Sequence, residues 1–506
     1  MLRNLLVLFA CLCCTVQAQN LPRTAVGKPD LQGIWQVKAG AGADLAVLLK
    51  DAGNSKALPY LPAALTQKQA NFTERASKDP FNRCWLPGTP RVMLLDYPFQ
   101  ITQTDAEVAL TFQWQQVYRL IHTSGGKSRY EGVESWMGHS RGHWEGDALV
   151  VEVTEFNDRS WLDASGNFHS GAMQVSERYQ LRDADTIAYQ ATITDPKTYS
   201  KPWTIAAEFK RQKNQPRLLE YQCQAEKEEA NGAFEHDERL WYPAKIPASN
   251  QPFDASAGKP PPLPKSSATI RRLKDGTPDL GGYFMSDAGG ANYGLEGTKG
   301  GFLTPNSRGV VIDPASGVLP YQQWARDERI NREQPWRGYD DPTAHCFVAG
   351  IPRSLYVPSP FQIVQTRDNV VFLHERMAWR QVALNRRDHL PDTTRLWQGD
   401  SIGHFEGDTL VVDTRNFNGK QWHNEVGDVM SHMQTLTESF TPVSEDRIIY
   451  RATVSDPIPY SRPWTIEFPL NRMDDELLEV ACLEDNGDLQ HLKDVRDEYR
   501  AAHSNK

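Results

Sequence analysis

The sequence predicts an all-β protein: two up-and-down antiparallel β-barrels in tandem, each of about 8 to 10 strands, with a β-sandwich as the alternative architecture. Three observations lead there. HSRGHWEGDALVVEVTEFN at 139–157 returns as DSIGHFEGDTLVVDTRNFN at 400–418, with 11 of 19 positions identical at an offset of 261, and a long fixed period marks a duplicated unit. Within each unit, short runs rich in β-branched and aromatic residues alternate with period two between turn residues, the pattern of half-buried strands. So many successive hairpins leave sheet edges that closure removes.

The elements follow in chain order. Arg3, the apolar run Leu5 to Val16 and the small-residue site Val16-Gln17-Ala18 read as a cleavable secretory signal peptide over 1–18. The alternative is lipid anchoring at Cys11 in Leu8-Phe9-Ala10-Cys11. No later stretch approaches the ~20 apolar residues of a membrane helix, so the expected location is periplasmic or extracellular. The first barrel repeat is assigned to 19–244 and the second to 276–506. Residues 245–275 between them are rich in Pro, Ser, Gly and Lys, a linker composition.

After Cys84 the strand pattern runs through FQITQT, EVALTFQW, VYRLIHT, DALVVEVTEF, MQVSERYQL, TIAYQATI, WTIAAEFK and LLEYQCQ. Helical patterns occur at 62–79 and 320–333, each ahead of its copy's first cysteine. Further echoes tie the copies together: CWLPGTPR with CFVAGIPR, PFQITQT with PFQIVQT, and DPKTYSKPWTI with DPIPYSRPWTI. Signal cleavage would leave Cys84, Cys223, Cys346 and Cys482, one early and one late in each copy. Pairing Cys84 with Cys223 and Cys346 with Cys482 lets each domain oxidise alone. Four unpaired core thiols are the alternative.

Gly33-Ile34-Trp35 is similar to the GxW opening of lipocalin-type barrels, and Gly282-Tyr283-Phe284 keeps the glycine and an aromatic. The order PDLQGIW, CWLPGTPR, PFQITQT, GHSRGHWEGDALVVEV, DPKTYSKPWT and LLEYQC resembles a group of exported bacterial proteins with PDLxGIW, CxPxGxPR, GHSxGxWEGDTLVVD and DPxxYTxPWT motifs, and here that pattern occurs twice. The resemblance implies architecture and export, and assigns no catalytic residue.

Lys and Arg total 55 against 64 Asp and Glu, a formal charge of −9, which gives no general attraction to nucleic acid. No Ser nucleophile elbow, phosphate loop, dinucleotide fingerprint or haem motif is present, so no cofactor is implied. The densest polar cluster is His139 to Asp147. On a strand, His139, Arg141, His143 and Glu145 share one face, and His139 lies about 13 Å from His143, too far to share a metal ion.

The sequence therefore points to metal-free acid/base chemistry if it points to chemistry at all: His143 with Glu145, charge-balanced by Arg119 on a neighbouring strand. His404, Glu406 and Arg380 are the second copy's counterparts. Candidate ligand contacts are His139, Arg141 and His169 with the tryptophans that persist across copies: Trp136 with Trp397, and Trp161 with Trp422. The competing reading makes the tryptophans core anchors and the EGD carboxylates turn caps. Arg91 and Arg353, after Gly-x-Pro, are read as closing a barrel end.

The copies diverge at His139 against Asp400 and Arg141 against Ile402, which suggests that one barrel changed its ligand or lost its activity. Three functions are carried forward. The first is an exported protein binding a hydrophobic, aromatic or saccharide ligand in one or both barrels. The second is an acid/base lyase, isomerase or hydrolase acting mainly in the first barrel. The third is a structural or partner-binding scaffold.

Overall fold

In the computed structural model the described residues are 21–50, 57–126, 130–230, 251–266, 269–297, 309–376, 378–484 and 486–503. The predicted signal peptide, with Cys11, lies outside them.

Nine strands close the first barrel: β1 (Gly33–Val37), β2 (Phe99–Gln103), β3 (Glu107–Phe112), β4 (Tyr118–His122), β5 (His139–Glu145), β6 (Ala148–Thr154), β7 (Gln174–Asp183), β8 (Thr186–Thr194) and β9 (Trp203–Arg211). The second repeats the plan with β10 (Gly282–Ser286), β11 (Val311–Asp313), β12 (Phe361–Gln365), β13 (Asn369–His374), β14 (Ala378–Ala383), β15 (Asp400–Glu406), β16 (Thr409–Arg415), β17 (Thr435–Pro442), β18 (Arg447–Ser455) and β19 (Trp464–Met473). β10 pairs with both β12 and β19 and closes nine strands, while β11 takes the remaining length of β19. Barrels, not sandwiches, are formed. One junction departs from the up-and-down pattern: β4 runs parallel to β5, as β14 does to β15, because the segment between them crosses over instead of turning back.

The glycine of each opening motif has a steric reason. Gly33 has φ +131° and Gly282 +134°, and a Cβ at either would overlap the guanidinium of Arg211 or Arg472. Those guanidiniums lie 4.2 Å from the ring of Trp35 and 4.7 Å from that of Phe284, sealing one barrel end by cation–π contact.

Two of the four α-helices among the described residues match the sequence reading: α1 (Pro62–Lys78), with proline in its first turn where a missing N–H costs nothing, and α3 (Gln323–Arg332). The others, α2 (Cys223–Ala230) and α4 (Gly487–His503), were not foreseen. LLEYQCQ, read as a strand, is a correction. Residues 218–222 form no strand, only a single bridge from Tyr221 to Trp114, and α2 begins at Cys223.

The cysteines pair within copies, Cys84 with Cys223 and Cys346 with Cys482, closing separations of 139 and 136 residues. By the chain-entropy relation each is worth about 5 kcal/mol.

The copies share a packed seam. Ala109, Tyr118 and Leu218 of the first meet Val364, Val371, Leu373 and Trp379 of the second. Trp379 Nε1 donates to Phe112 O at 2.9 Å, and Gln362 Nε2 donates to Glu107 at 2.9 Å. This seam explains why FQITQ and FQIVQ are buried on both faces.

Candidate functional site

β5 forms as the alternation requires, and it separates the proposed acid/base residues. His143 Nε2 and Glu145 Oε1 are 3.4 Å apart on an exposed hairpin face, as are His404 and Glu406 at 2.9 Å. Glu145 also accepts from Arg178 at 2.8 Å, and that bond, then the one to His143, holds its carboxyl below the usual range. Arg119 lies on the other side of the wall. It is buried, donating through Nε to Ser140 Oγ at 2.8 Å and paired with Glu177. Ser140 and His143 have opposite parity on β5, so Arg119 faces the interior while the His143–Glu145 pair faces out.

Arg119 is the centre of an interior network in which Tyr179 and Tyr189 hydroxyls also donate to Glu177, at 3.1 and 2.7 Å. The second barrel repeats it with Arg380 Nη1 donating to Glu438 at 2.9 Å and Tyr450 OH to Glu438 at 2.9 Å. The carboxylates of the EGD turns hold the chain ahead of each barrel: Asp147 pairs with Arg23 and Asp408 with Arg272, both at 2.9 Å.

Most aromatic candidates are packed. Trp422 is fully buried beneath Arg332, at 4.7 Å, and Trp136 stacks edge-on with Trp85 at 5.7 Å. Trp397 packs on Phe347 at 5.3 Å. Trp161, half-buried, bridges to Phe168. His169 is buried between Ser160 Oγ (2.8 Å) and Ser170 O (3.0 Å), and burial lowers its pKa. Arg91 and Arg353 are buried, each gripping an aspartate with both terminal nitrogens: Asp79 at 2.8 and 2.7 Å, Asp341 at 2.9 and 2.7 Å.

The divergent positions His139, Arg141 and Asp400 fall on the seam. The segment after each last strand crosses to the other copy. Glu479 accepts the backbone N–H of Trp136 (2.7 Å) and of Met137 (3.0 Å), while Glu220 accepts those of Trp397 and Gln398. Burial pushes both carboxyls up to about 7. Beside them, Arg217 pairs with Asp400 at 2.9 Å, and Arg141 with Glu476 at 3.2 Å. His139 lies 3.4 Å from Glu155. Arg141 and Asp400 are thus each matched to a charge on the neighbouring copy, whereas His139 meets a carboxylate of its own copy. A cavity of about 100 Å³ lies here among His122, His139, Arg141 and Glu476.

A larger cavity, about 200 Å³, opens where both disulfides meet the mouth of the second barrel. Trp85, Phe347, Val357, Pro358 and Pro360 give it apolar walls; Gln115, Gln222, Gln398, Asn292, Ser354, His374, Arg376 and Glu425 give it polar groups. Asn292 Nδ2 donates to Glu425 at 2.7 Å. Burial raises the Glu425 carboxyl, with Arg353 opposing. Burial, then the charge of Arg380, brings His374 down to about 3, so its imidazole is neutral. Among the described residues, His374 Nε2 and Ser354 Oγ are buried without a hydrogen-bond partner.

Four of these polar groups, His374, Ser354, Asn292 and Glu425, belong to the second copy, while Gln115 and Gln222 come from the first. Phe99 pairs with Phe112 where Phe361 pairs with His374. Ala164 N donates to Gly42 O where Glu425 N donates to Asn292 O, both at 2.8 Å. The sequence reading missed the cleft because it compared copies only inside retained motifs. Phe112 against His374 and Ala164 against Glu425 were the available signal.

No family model matches the chain, and no curated protein matches it.

Proposed function

We propose that the chain is an exported small-molecule-binding protein with one binding site, the cleft at the mouth of the second barrel, rather than a site inside each barrel. The observation that carries this is the copy-specific set His374, Ser354, Asn292 and Glu425 around a cleft with apolar walls. Two of its buried polar atoms lack partners among the described residues, and such atoms cost free energy until something bonds to them. Mixed walls of this kind suit a ligand with an apolar body and a few hydrogen-bonding groups.

The barrel interiors favour this placement because they are occupied by packed rings: Phe99, Tyr189 and Phe209 lie within 5.0 Å of one another in the pairs Phe99–Phe209 and Tyr189–Phe209. Export is supported by the two disulfides, which persist in oxidising compartments, and by the N-terminal sequence. Among the described residues no helix is long and apolar enough to cross a membrane.

Intrinsic tryptophan fluorescence, titrated with small aromatic and saccharide compounds, tests the reading. The expected result is one ligand per chain, recovered unchanged, with binding abolished by Ala378→Trp, which fills the cleft. Recovery of a converted product would replace binding by catalysis. Binding that survives Ala378→Trp in a folded variant would remove the ligand from this cleft.

A further inference from the structure

Resting on that reading, we infer that the ligand is a small aromatic carboxylate, its acid group held by Arg376 and its ring lying against Trp85. The inference comes from counting the charges around the cleft and asking which are already used. Arg353 is consumed by Asp341, and its Nε donates to Asn292 at 3.0 Å. Glu484 is taken by Arg159 and by the Trp136 indole N–H. Glu425 accepts from Asn292 and also feels the charges of Arg353 and, more weakly, Arg376.

Arg376 differs. It stands exposed on the turn between β13 and β14, lines the cleft, and makes no ion pair within 4 Å among the described residues. A guanidinium offers two parallel N–H bonds that match a carboxylate's two oxygens, a geometry that a sugar hydroxyl or a single carbonyl cannot fill.

The rest of the cleft fits the body of such a molecule. Trp85 is half-buried, with its ring at the wall, and Val357, Pro358 and Pro360 continue the apolar surface. Ser354 Oγ and His374 Nε2 supply hydrogen-bonding positions for a ring substituent such as a hydroxyl. Glu425 lies in the same cleft, where burial raises its carboxyl and the charge of Arg353, the hydrogen bond from Asn292 and the charge of Arg376 oppose that. The cleft, about 200 Å³ and open to solvent at its mouth, accommodates a single substituted ring.

Titration calorimetry of the full chain with 4-hydroxybenzoate, its methyl ester and glucose decides the matter. The acid should bind about tenfold or more tightly than the ester, a difference of about 1.4 kcal/mol. Arg376→Ala should erase that advantage, bringing the acid's affinity to the level of the ester's, and Arg376→Lys should restore part of it. Equal or tighter binding of the ester, or an acid preference that survives Arg376→Ala, overturns the carboxylate assignment. Ester or glucose binding that Ala378→Trp abolishes, with no acid preference, leaves the cleft as the site and defeats only this inference. If none of the three compounds binds, the carboxylate assignment fails. Binding insensitive to Ala378→Trp overturns both.

Discussion

Arg217, at the end of the first copy, pairs with Asp400 at the start of a strand in the second, Nη1 to Oδ1 at 2.9 Å with both side chains almost fully buried. Asp400 also accepts from Arg386 at 2.9 and 2.8 Å and from Leu390 N at 2.9 Å, and meets His389 Nδ1 at 3.2 Å. Burial alone would raise this carboxyl. The bonds from His389 and Arg386, with the field of Arg217, outweigh that and hold it far below the usual carboxylate range. Asp400→Asn leaves buried cations uncompensated and should cost about 3 to 5 kcal/mol in denaturant unfolding. A loss under 1 kcal/mol would show that the pair is not a structural tie.

The same cluster sets a pH response. His389 bridges Asp400 and Asp413, and those two hydrogen bonds raise its pKa to about 9 against the opposing effect of burial. Its folded-state pKa exceeds the unfolded value of about 6.5, so its contribution is complete below about 6.5 and is lost as pH rises through about 9. Urea midpoints from pH 6 to 10 should fall more steeply in the natural chain than in His389→Gln, and parallel curves would refute this.

The crossing arms bear equal loads. Glu220→Ala and Glu479→Ala each strip two backbone N–H groups of their acceptor, which should cost about 1 to 3 kcal/mol. Amide exchange should accelerate at Trp397 and Gln398 in the first variant and at Trp136 and Met137 in the second. Both carboxyls are raised to about 7 by burial, so their contribution is largest below about 4.5 and declines as pH rises through about 7.

The two halves of the predicted acid/base site should behave oppositely. Arg119→Met leaves Glu177 buried without its cation and should cost about 3 to 5 kcal/mol, most of it recovered in Arg119→Met, Glu177→Leu. His143→Ala, on an exposed face, should stay within about 0.5 kcal/mol. Neither should change the stoichiometry of binding in the cleft. Loss of ligand in His143→Ala at unchanged stability would return the site to the β5 hairpin.

The sequence by itself determined the duplication, the strands and their alternation, and the early-and-late cysteine pattern. These are legible because strand formation and the faces of β5 depend on residues close in the chain, and because a second copy shows which positions are retained. Tertiary structure decided the rest. LLEYQC has a strand's alternation, yet Glu220 finds its partners 177 and 178 residues away, at Trp397 and Gln398, and no local pattern encodes such a partner. Parity along β5 was readable, but that Arg119 lies inside the wall and His143 outside it depends on how β4 is laid beside β5. Asp400 in place of the first copy's His139 suggested a changed ligand or a lost activity. It answers a charge, Arg217, that only the meeting of two barrels brings near. The cleft too exists only once those barrels are joined, since its walls come from both disulfides and its polar groups from segments that are separate in the chain.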